Sequence, residues 1–379
     1  MSNVKKVMFV FGTRPEAIKM APVIKAVRQS AGLSAIVVVS AQHRGMLDQV
    51  LSFFSIDPDI DLDLMRPDQT LPDLFGRALN GIHRAIGEVG PDLVLVHGDT
   101  TTTLAAAMAA FYRQVPVGHV EAGLRTHDMS APFPEEMNRR LTSPLGSLHF
   151  APTDLSARNL LQEGIPADRI HVTGNTAVDA ILQAAAGIDA DTMLQARLDA
   201  ALPPSTGRRG LVLVTSHRRE NFGEGFERIC RSLQEIAALG LDVIYPVHPN
   251  PNIRGPAQRA LGHIPGISLI EPLEYLPFVR LMQRADLILT DSGGIQEEAP
   301  SLGTPVLLMR EATERPEGVA SGAIRLVGTD PARIRNAVEH LLDERASPPA
   351  TPGARNPYGD GKASERIATI ITGHLTPPA

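Results

Sequence analysis

The sequence predicts an α/β protein built from two doubly wound, Rossmann-like parallel sheets, and three observations lead there. Short apolar runs recur along all 379 residues. They are continuous rather than alternating, as strands covered on both faces read. Each is followed by a segment with helical spacing. The length also suits two domains of roughly 150 residues or more each. In the first half strands are expected at residues 7–11, 35–40, 93–96, 115–120 and 148–151. In the second half they are expected at 211–215, 243–247, 267–270, 287–290, 306–309 and 323–327. Between them, residues 22–30, 71–89 and 102–112 carry helical spacing, and the Ala-rich stretch 177–201 reads as helix. The seam falls within 172–209, where the Pro- and Gly-containing loop 202–210 restarts strand formation. A second Pro- and Gly-rich stretch, 346–361, precedes a last amphipathic helix at 362–373 that is outside the second sheet's rhythm. The expected organisation is therefore a first domain over 1–172, a second over 173–361, and a terminal helix and tail, 362–379, packing back on the first.

Composition narrows the function class. The 36 Lys and Arg against 42 Asp and Glu give a net charge of −6. No long single-sign run accompanies it, which argues against a nucleic-acid or anionic-membrane surface. Hydrophobic residues at 43% and charged ones at 21% are ordinary for a soluble globular chain. Aromatics make up only 4% and Trp is absent, so the core must be aliphatic. A single cysteine, Cys230, excludes an intramolecular disulfide framework or a thiolate metal cluster within one chain. Its apolar helical surroundings make packing its expected role. The start, MSNVKKVMFVF, lacks the long apolar region and small-residue cleavage site of a signal peptide. No apolar stretch approaches the roughly 20 residues of a membrane span. A cytosolic protein is expected.

Open parallel sheets bind ligands at the carboxyl ends of their strands, and the polar motifs fall there. The first strand runs into GTRPE (residues 12–16), the 93–96 strand into HGDTTTT (97–103) and the 115–120 strand into HVEAGLRT (119–126). In the second half the strand ends carry SHRREN (216–221), HPNP (248–251) and DSGGIQEE (291–298). Two such edges facing each other are expected to enclose one cleft, with carboxylates on one wall and cations and glycines on the other. Gly293 and Gly294 either let backbone N–H groups approach a phosphate at a helix start or form a plain turn with Ser292 as the cap. Pro15 stands where a dinucleotide fingerprint needs glycine, which lowers the expectation of bound NAD. Arg14 and Lys19 offer cations beside the cleft or structural ion pairs. Asp99, Glu121 and Glu135 are carboxylates brought towards one wall, suited to acid–base work, unless Asp99 simply caps the helix that follows. Arg139 and Arg140 either counter a diphosphate or form an exposed face. His217 and His248 sit at strand ends without metal-ligand spacing, so no metal is expected.

Eleven motifs in order over nearly the whole chain resemble the non-hydrolysing UDP-N-acetylglucosamine 2-epimerase family. They are GTRPEAIKMAP, AQHRGMLDQVL, HGDTTTT, HVEAGLRT, PFPEEMNRR, TGNTAVDA, SHRRENFG, PVHPNP, EYLPF, DSGGIQEEAPSLG and TERPE. The resemblance implies a glycosyltransferase-B type fold with the active site in the interdomain cleft, a homodimer, no cofactor and no metal. It implies a UDP-sugar substrate and an anti elimination of UDP to 2-acetamidoglucal, followed by re-addition with carbon 2 inverted. Carried over by motif, Asp99, Glu121 and Glu135 are the acid–base groups and His217 assists at the departing diphosphate. Arg14, Lys19 and Arg139 line the same cleft. Ser292, Gly293, Gly294 and Arg315 hold the phosphates, Leu273 and Phe278 frame the uracil, and Glu298 meets the ribose. A second, activating UDP-sugar site is implied at Gln42, His43 and His248. Yet Gly45 stands where many members carry Gln, and Asp68 where they carry Arg. An Asp beside a diphosphate is unfavourable. Weak or absent activation by substrate is therefore expected, or a related substrate such as a UDP-2,3-diacetamido uronic acid sugar. A hydrolysing 2-epimerase is the nearest alternative enzyme.

Overall fold

The computed structural model describes residues 4–40, 44–66, 68–204, 206, 208–218, 221–345 and 356–376. The chain forms two units, one of Met1–Ala180 with Tyr358–Ala379 and one of Ile181–Pro357.

The first unit is built on seven strands: β1 (Lys5–Phe11), β2 (Leu33–Val39), β3 (Ile60–Asp61), β4 (Leu93–His97), β5 (Val117–Val120), β6 (Leu148–Ala151) and β7 (Ile170–Val172). Their spatial order is β3-β2-β1-β4-β5-β6-β7, every pairing is parallel, and the order reverses between β1 and β4. At the centre Phe9 of β1 lies opposite Val37 on one side and Leu95 on the other. Sequence reading located the five inner strands and missed β3 and β7. Those two are the edges, short and only partly buried, so they lack the continuous apolar run that double coverage imposes. The helix Leu71–Val89 has the expected bounds. The helix expected from residue 22 instead begins at Arg14, because Thr13 and Glu16 form a reciprocal capping box and Pro15 sits in the first turn, where a missing N–H costs nothing. Thr101–Tyr112 buries Ala105, Ala106, Ala107, Ala109 and Ala110 completely and shares a core with Met8, Val10, Val94, Val96, Ile82 and Ile86. Its small side chains keep the helix close to the sheet.

The second unit carries β8 (Leu211–Thr215), β9 (Asp242–Pro246), β10 (Ile267–Ile270), β11 (Leu287–Thr290), β12 (Val306–Leu308) and β13 (Ile324–Leu326). Their order is β10-β9-β8-β11-β12-β13, again all parallel, reversing between β8 and β11. Its core is aliphatic apart from Tyr245 and Phe226, and Cys230 lies within it. Burial pushes the Cys230 thiol up to about 12, which keeps it protonated. The stretch 177–201 is two helices, Thr176–Ala190 and Thr192–Ala200. They break at Asp191, whose carboxylate accepts from the N–H groups of Met193 and Leu194 at 3.0 and 2.9 Å.

The terminal helix Ala363–Leu375 belongs to the first unit. Ile367, Ala368 and Ile371 are its buried face. Its start is held by Asp179, a buried carboxylate that accepts from Ala363 N at 3.2 Å and Ser364 N at 2.7 Å, and from the Ser364 hydroxyl. Among the described residues no helix is long and apolar enough to cross a membrane.

Candidate active site

In the first unit the loops after β1, β4 and β5 converge at the strand-order reversal, and Glu16 joins two of them. Its Oε2 accepts from Gly12 N at 3.0 Å and Thr13 N at 2.7 Å, and its Oε1 from the hydroxyls of Thr100 at 2.8 Å and Thr103 at 3.3 Å. Burial raises its proton affinity and the four donors oppose that shift. Glu16 therefore locks the β1 and β4 loops together. Thr100 rather than Asp99 caps the helix Thr101–Tyr112, its hydroxyl accepting from Thr103 N.

Glu121, just past β5, has left-handed backbone (φ +63°). Its Oε2 accepts from the Lys19 ammonium and, at 3.1 Å, from the Asn175 amide, and lies 3.9 Å from Nε2 of His97. Burial pushes the His97 imidazole down to about 4, against the pull of Glu121 and with help from Lys19. It is neutral at physiological pH. Gly98 reaches φ +65°, and a Cβ there would stand 3.6 Å from Oε1 of Glu121. The next residue, Asp99, accepts at one oxygen from Nε and Nη2 of Arg139 at 2.9 and 2.7 Å. The same guanidinium donates from Nη1 to Glu136 at 2.8 Å. Glu136 is fully buried and also accepts from the N–H groups of Thr126 and His127. Its neighbour Glu135 is half-buried, with Oε2 enclosed and without a hydrogen-bond partner among the described residues. Arg14 is partly buried at the start of its helix. Arg140 is exposed, with its guanidinium 3.6 Å from Glu163.

In the second unit the organiser is Asp291, fully buried at the end of β11. It accepts from the Ser216 hydroxyl at 2.9 Å, from the backbone N–H of His217 and Arg218 at 3.1 Å, and from the Asn221 amide at 3.0 Å. Ser216, His217, Arg218 and Asn221 of the SHRREN motif thus converge on one carboxylate. His217 lies with Nδ1 3.3 Å from Asp291 and stacks on His248 at 5.9 Å between ring centroids. Burial lowers the proton affinity of His217, and Asp291 opposes this. Gly293 and Gly294 open the helix Gly293–Glu298, for which Ser292 supplies no side-chain cap. A Cβ on Gly293 would come within 2.9 Å of Nη1 of Arg315, whereas one on Gly294 would meet open space. Arg315 is held by Glu297 at 2.6 Å and Glu314 at 2.9 Å. Glu314 also accepts from Arg218 and Arg310. Burial opposes its ionisation, but Arg315 and Arg310 outweigh it and hold the carboxyl down at about 2. Leu273, Phe278 and Glu298 are half-buried on the segments after β10 and β11.

Lys19 with Glu121 and Arg139 with Asp99 thus form two ion pairs at neighbouring strand ends, and Glu135 adjoins the Glu136 that shares Arg139. His217, His248, Ser292, Gly293, Gly294 and Arg315 lie at the strand ends of the second sheet. The expected separation of charges by wall needs one correction: Lys19 and Arg139 stand among the carboxylates and are paired with Glu121 and Asp99. Gln42 and His43 lie outside the described residues. Asp68 is exposed with φ +53°. Sequence reading gave no role to Glu16, Glu136, Asn175 or Asp291. All four stood inside quoted motifs, and each is a buried polar residue whose partners lie elsewhere in the chain. Among the described residues no three His, Cys, Asp or Glu side chains gather as a metal site requires.

By fold the chain is a two-sheet protein of the glycosyltransferase-B type. A family model described as UDP-N-acetylglucosamine 2-epimerase matches residues 25–372. The UDP-N-acetylglucosamine 2-epimerase of Escherichia coli (strain K12) is 55% identical over 368 residues, 97% of this chain and 98% of that one. The crystal structure of UDP-GlcNAc 2-epimerase from Neisseria meningitidis bound to UDP-GlcNAc matches with a TM-score of 0.88 at 47% identity, covering 97% of this chain and 99% of that one. The glycotransferase of kitacinnamycin, with a TM-score of 0.61 at 13% identity over 98% of this chain and 99% of that one, shares the fold alone. The chain belongs to the UDP-N-acetylglucosamine 2-epimerase family.

Proposed function

We propose that this chain interconverts UDP-N-acetylglucosamine and UDP-N-acetylmannosamine by the non-hydrolysing route, as a cytosolic homodimer supplying cell-surface polysaccharide synthesis. The supporting observation is the Glu121 cluster: a carboxylate fixed by Lys19 and Asn175, with Asp99 and the enclosed Glu135 carboxylate on neighbouring segments. Carbon 2 of the sugar has no adjacent carbonyl to acidify its hydrogen. Its proton can leave only in concert with a good leaving group at carbon 1. A carboxylate of this cluster takes the proton, the C–H electrons form the C1=C2 bond, and the C1–O bond to UDP breaks. Addition of UDP back to C1, with a proton delivered to C2 from the other face, gives the epimer. Two carboxyl groups of opposite protonation meet that need. In the second unit, Arg315, the N–H groups of Gly293 and Gly294, and His217 suit the charge that develops on the diphosphate.

Asp68 and Gly45, in place of a cation and an amide, make activation by substrate weak. NMR of a UDP-GlcNAc incubation checks both points. The expected outcome is a stable mixture of two UDP-sugars, with initial rates hyperbolic in substrate. Accumulating UDP and free N-acetylmannosamine identifies the hydrolysing route instead, turnover of a UDP-2,3-diacetamido uronic acid sugar in a parallel incubation with none of UDP-GlcNAc identifies the related substrate, and sigmoidal rates contradict weak activation.

A further inference from the structure

Lys19 supplies the positive charge at Glu121, but a charge alone does not orient a carboxylate. The amide of Asn175 does, because an amide side chain has one donor face and one acceptor face. Asn175 is 2% exposed, in the short segment between β7 and the helix Thr176–Ala190. Its Oδ1 accepts from Ala177 N at 2.9 Å, at the start of that helix. That contact turns the NH2 group towards Glu121, where it donates at 3.1 Å. The Asn175 backbone is fixed in turn: its N–H donates to the carbonyl of Tyr358 at 2.6 Å. Tyr358 is itself buried, and a Cβ on Gly174 would stand 3.4 Å from both that carbonyl and Cα of Gly359. The segment at 358–359 therefore backs the Asn175 peptide directly, and Glu121 is held at a left-handed backbone position.

We infer that Asn175 is a positioning residue for Glu121, and that Tyr358, through its carbonyl, makes the C-terminal segment part of the support of the acid–base site. This rests on Glu121 being one of the groups that move the carbon 2 proton. A purely structural role would be met by any good helix cap, since Ser and Asp cap as well as Asn. Positioning requires the NH2 group.

Asn175→Ser and Asn175→Asp separate the two. Both keep an acceptor for Ala177 N; Ser removes the NH2 group that reaches Glu121 and leaves only a shorter hydroxyl, and Asp replaces that group with a second carboxylate oxygen. With full-length protein, Asn175→Ser is expected to melt near the parent temperature while kcat falls about 10- to 100-fold, with KM changed by about 3-fold or less. Solvent deuterium incorporation at carbon 2 is expected to fall in parallel. Asn175→Asp is expected to move the acid limb of the kcat–pH profile upward, because two carboxylates sharing one buried site do not ionise together. Parent-like kcat and pH profile in a folded variant overturn the inference, and if the Ser variant fails to fold, the Asp profile decides alone. A parent protein that neither epimerises UDP-GlcNAc nor exchanges its carbon 2 hydrogen counts against the proposed function instead. That result is distinct from one in which parent and variants exchange equally.

Discussion

At the scale of single residues, one ionised group often serves as the frame of a whole loop. Asp291 receives donors from four residues of the segment after β8, and it is fully buried. An amide at this position presents a donor to donors. Asp291→Asn is therefore expected to cost about 2–4 kcal/mol of stability and to weaken UDP binding. A thermal melt with UDP titration calorimetry checks both, and an unchanged melt with parent affinity contradicts the role. Such residues explain what could be read in the sequence and what could not. Asp99 and Glu121 were visible because they are acidic residues at strand ends, and Glu135 because it stands in the PFPEEMNRR motif. Glu16, Glu136 and Asp291 are acidic too and Asn175 is an amide, but their roles depend on partners such as Thr100, Thr126, Ser216 and Glu121, which lie 84, 10, 75 and 54 positions away in the chain. Spacing along one strand or helix carries no trace of such partners.

At the scale of elements, the strand–helix rhythm was legible wherever burial was complete. It disappeared at β3 and β7, edge strands of two and three residues with no fully buried position. Helix starts were less legible than helix bodies: Thr13 with Glu16 begins a helix eight residues before the start that spacing suggests, and Asp191 divides an unbroken Ala-rich run. The terminal helix was visible as an amphipathic segment, but its anchor was not. Asp179 lies 184 positions before the N–H group it holds at Ala363. Burial raises its proton affinity, against the pull of the Ser364 and Ala363 donors. Asp179→Ala leaves those donors without an acceptor and is expected to cost about 2 kcal/mol. The loss should be concentrated at 363–375, where hydrogen exchange should accelerate more than in β1. Uniform acceleration across the first unit, or none, contradicts the anchoring role.

At the scale of the whole molecule, the first sheet buries a set of imidazoles. Burial pushes His97 down to about 4, His119 to about 3 with help from His149, and His149 to about 4. A histidine whose folded value lies below its ordinary 6.5 stabilises the fold fully above pH 6.5, and that stability is lost as pH falls towards the folded value. Each such group contributes a slope of up to about 1.4 kcal/mol per pH unit in that window. Glu16 and Asp179, whose values burial raises, act in the opposite sense near the carboxylate range and make the net slope shallower there. The melting temperature is therefore expected to fall between pH 7 and pH 5, and His149→Gln to flatten that fall. A parent melt independent of pH over this window contradicts the assignment of neutral imidazoles.

The Lys19–Glu121 pair is also largely shielded from solvent, as the proposed proton transfer at carbon 2 requires. The central claim is that carbon 2 loses and regains its proton as UDP leaves and returns. It is tested most directly by incubating UDP-N-acetylglucosamine with the protein in D2O and following carbon 2 by NMR. The expected result is one deuterium at that carbon in the pool of both UDP-sugars, with no incorporation at other positions. Epimerisation with the carbon 2 hydrogen retained, or no change in the sugar at all, contradicts it.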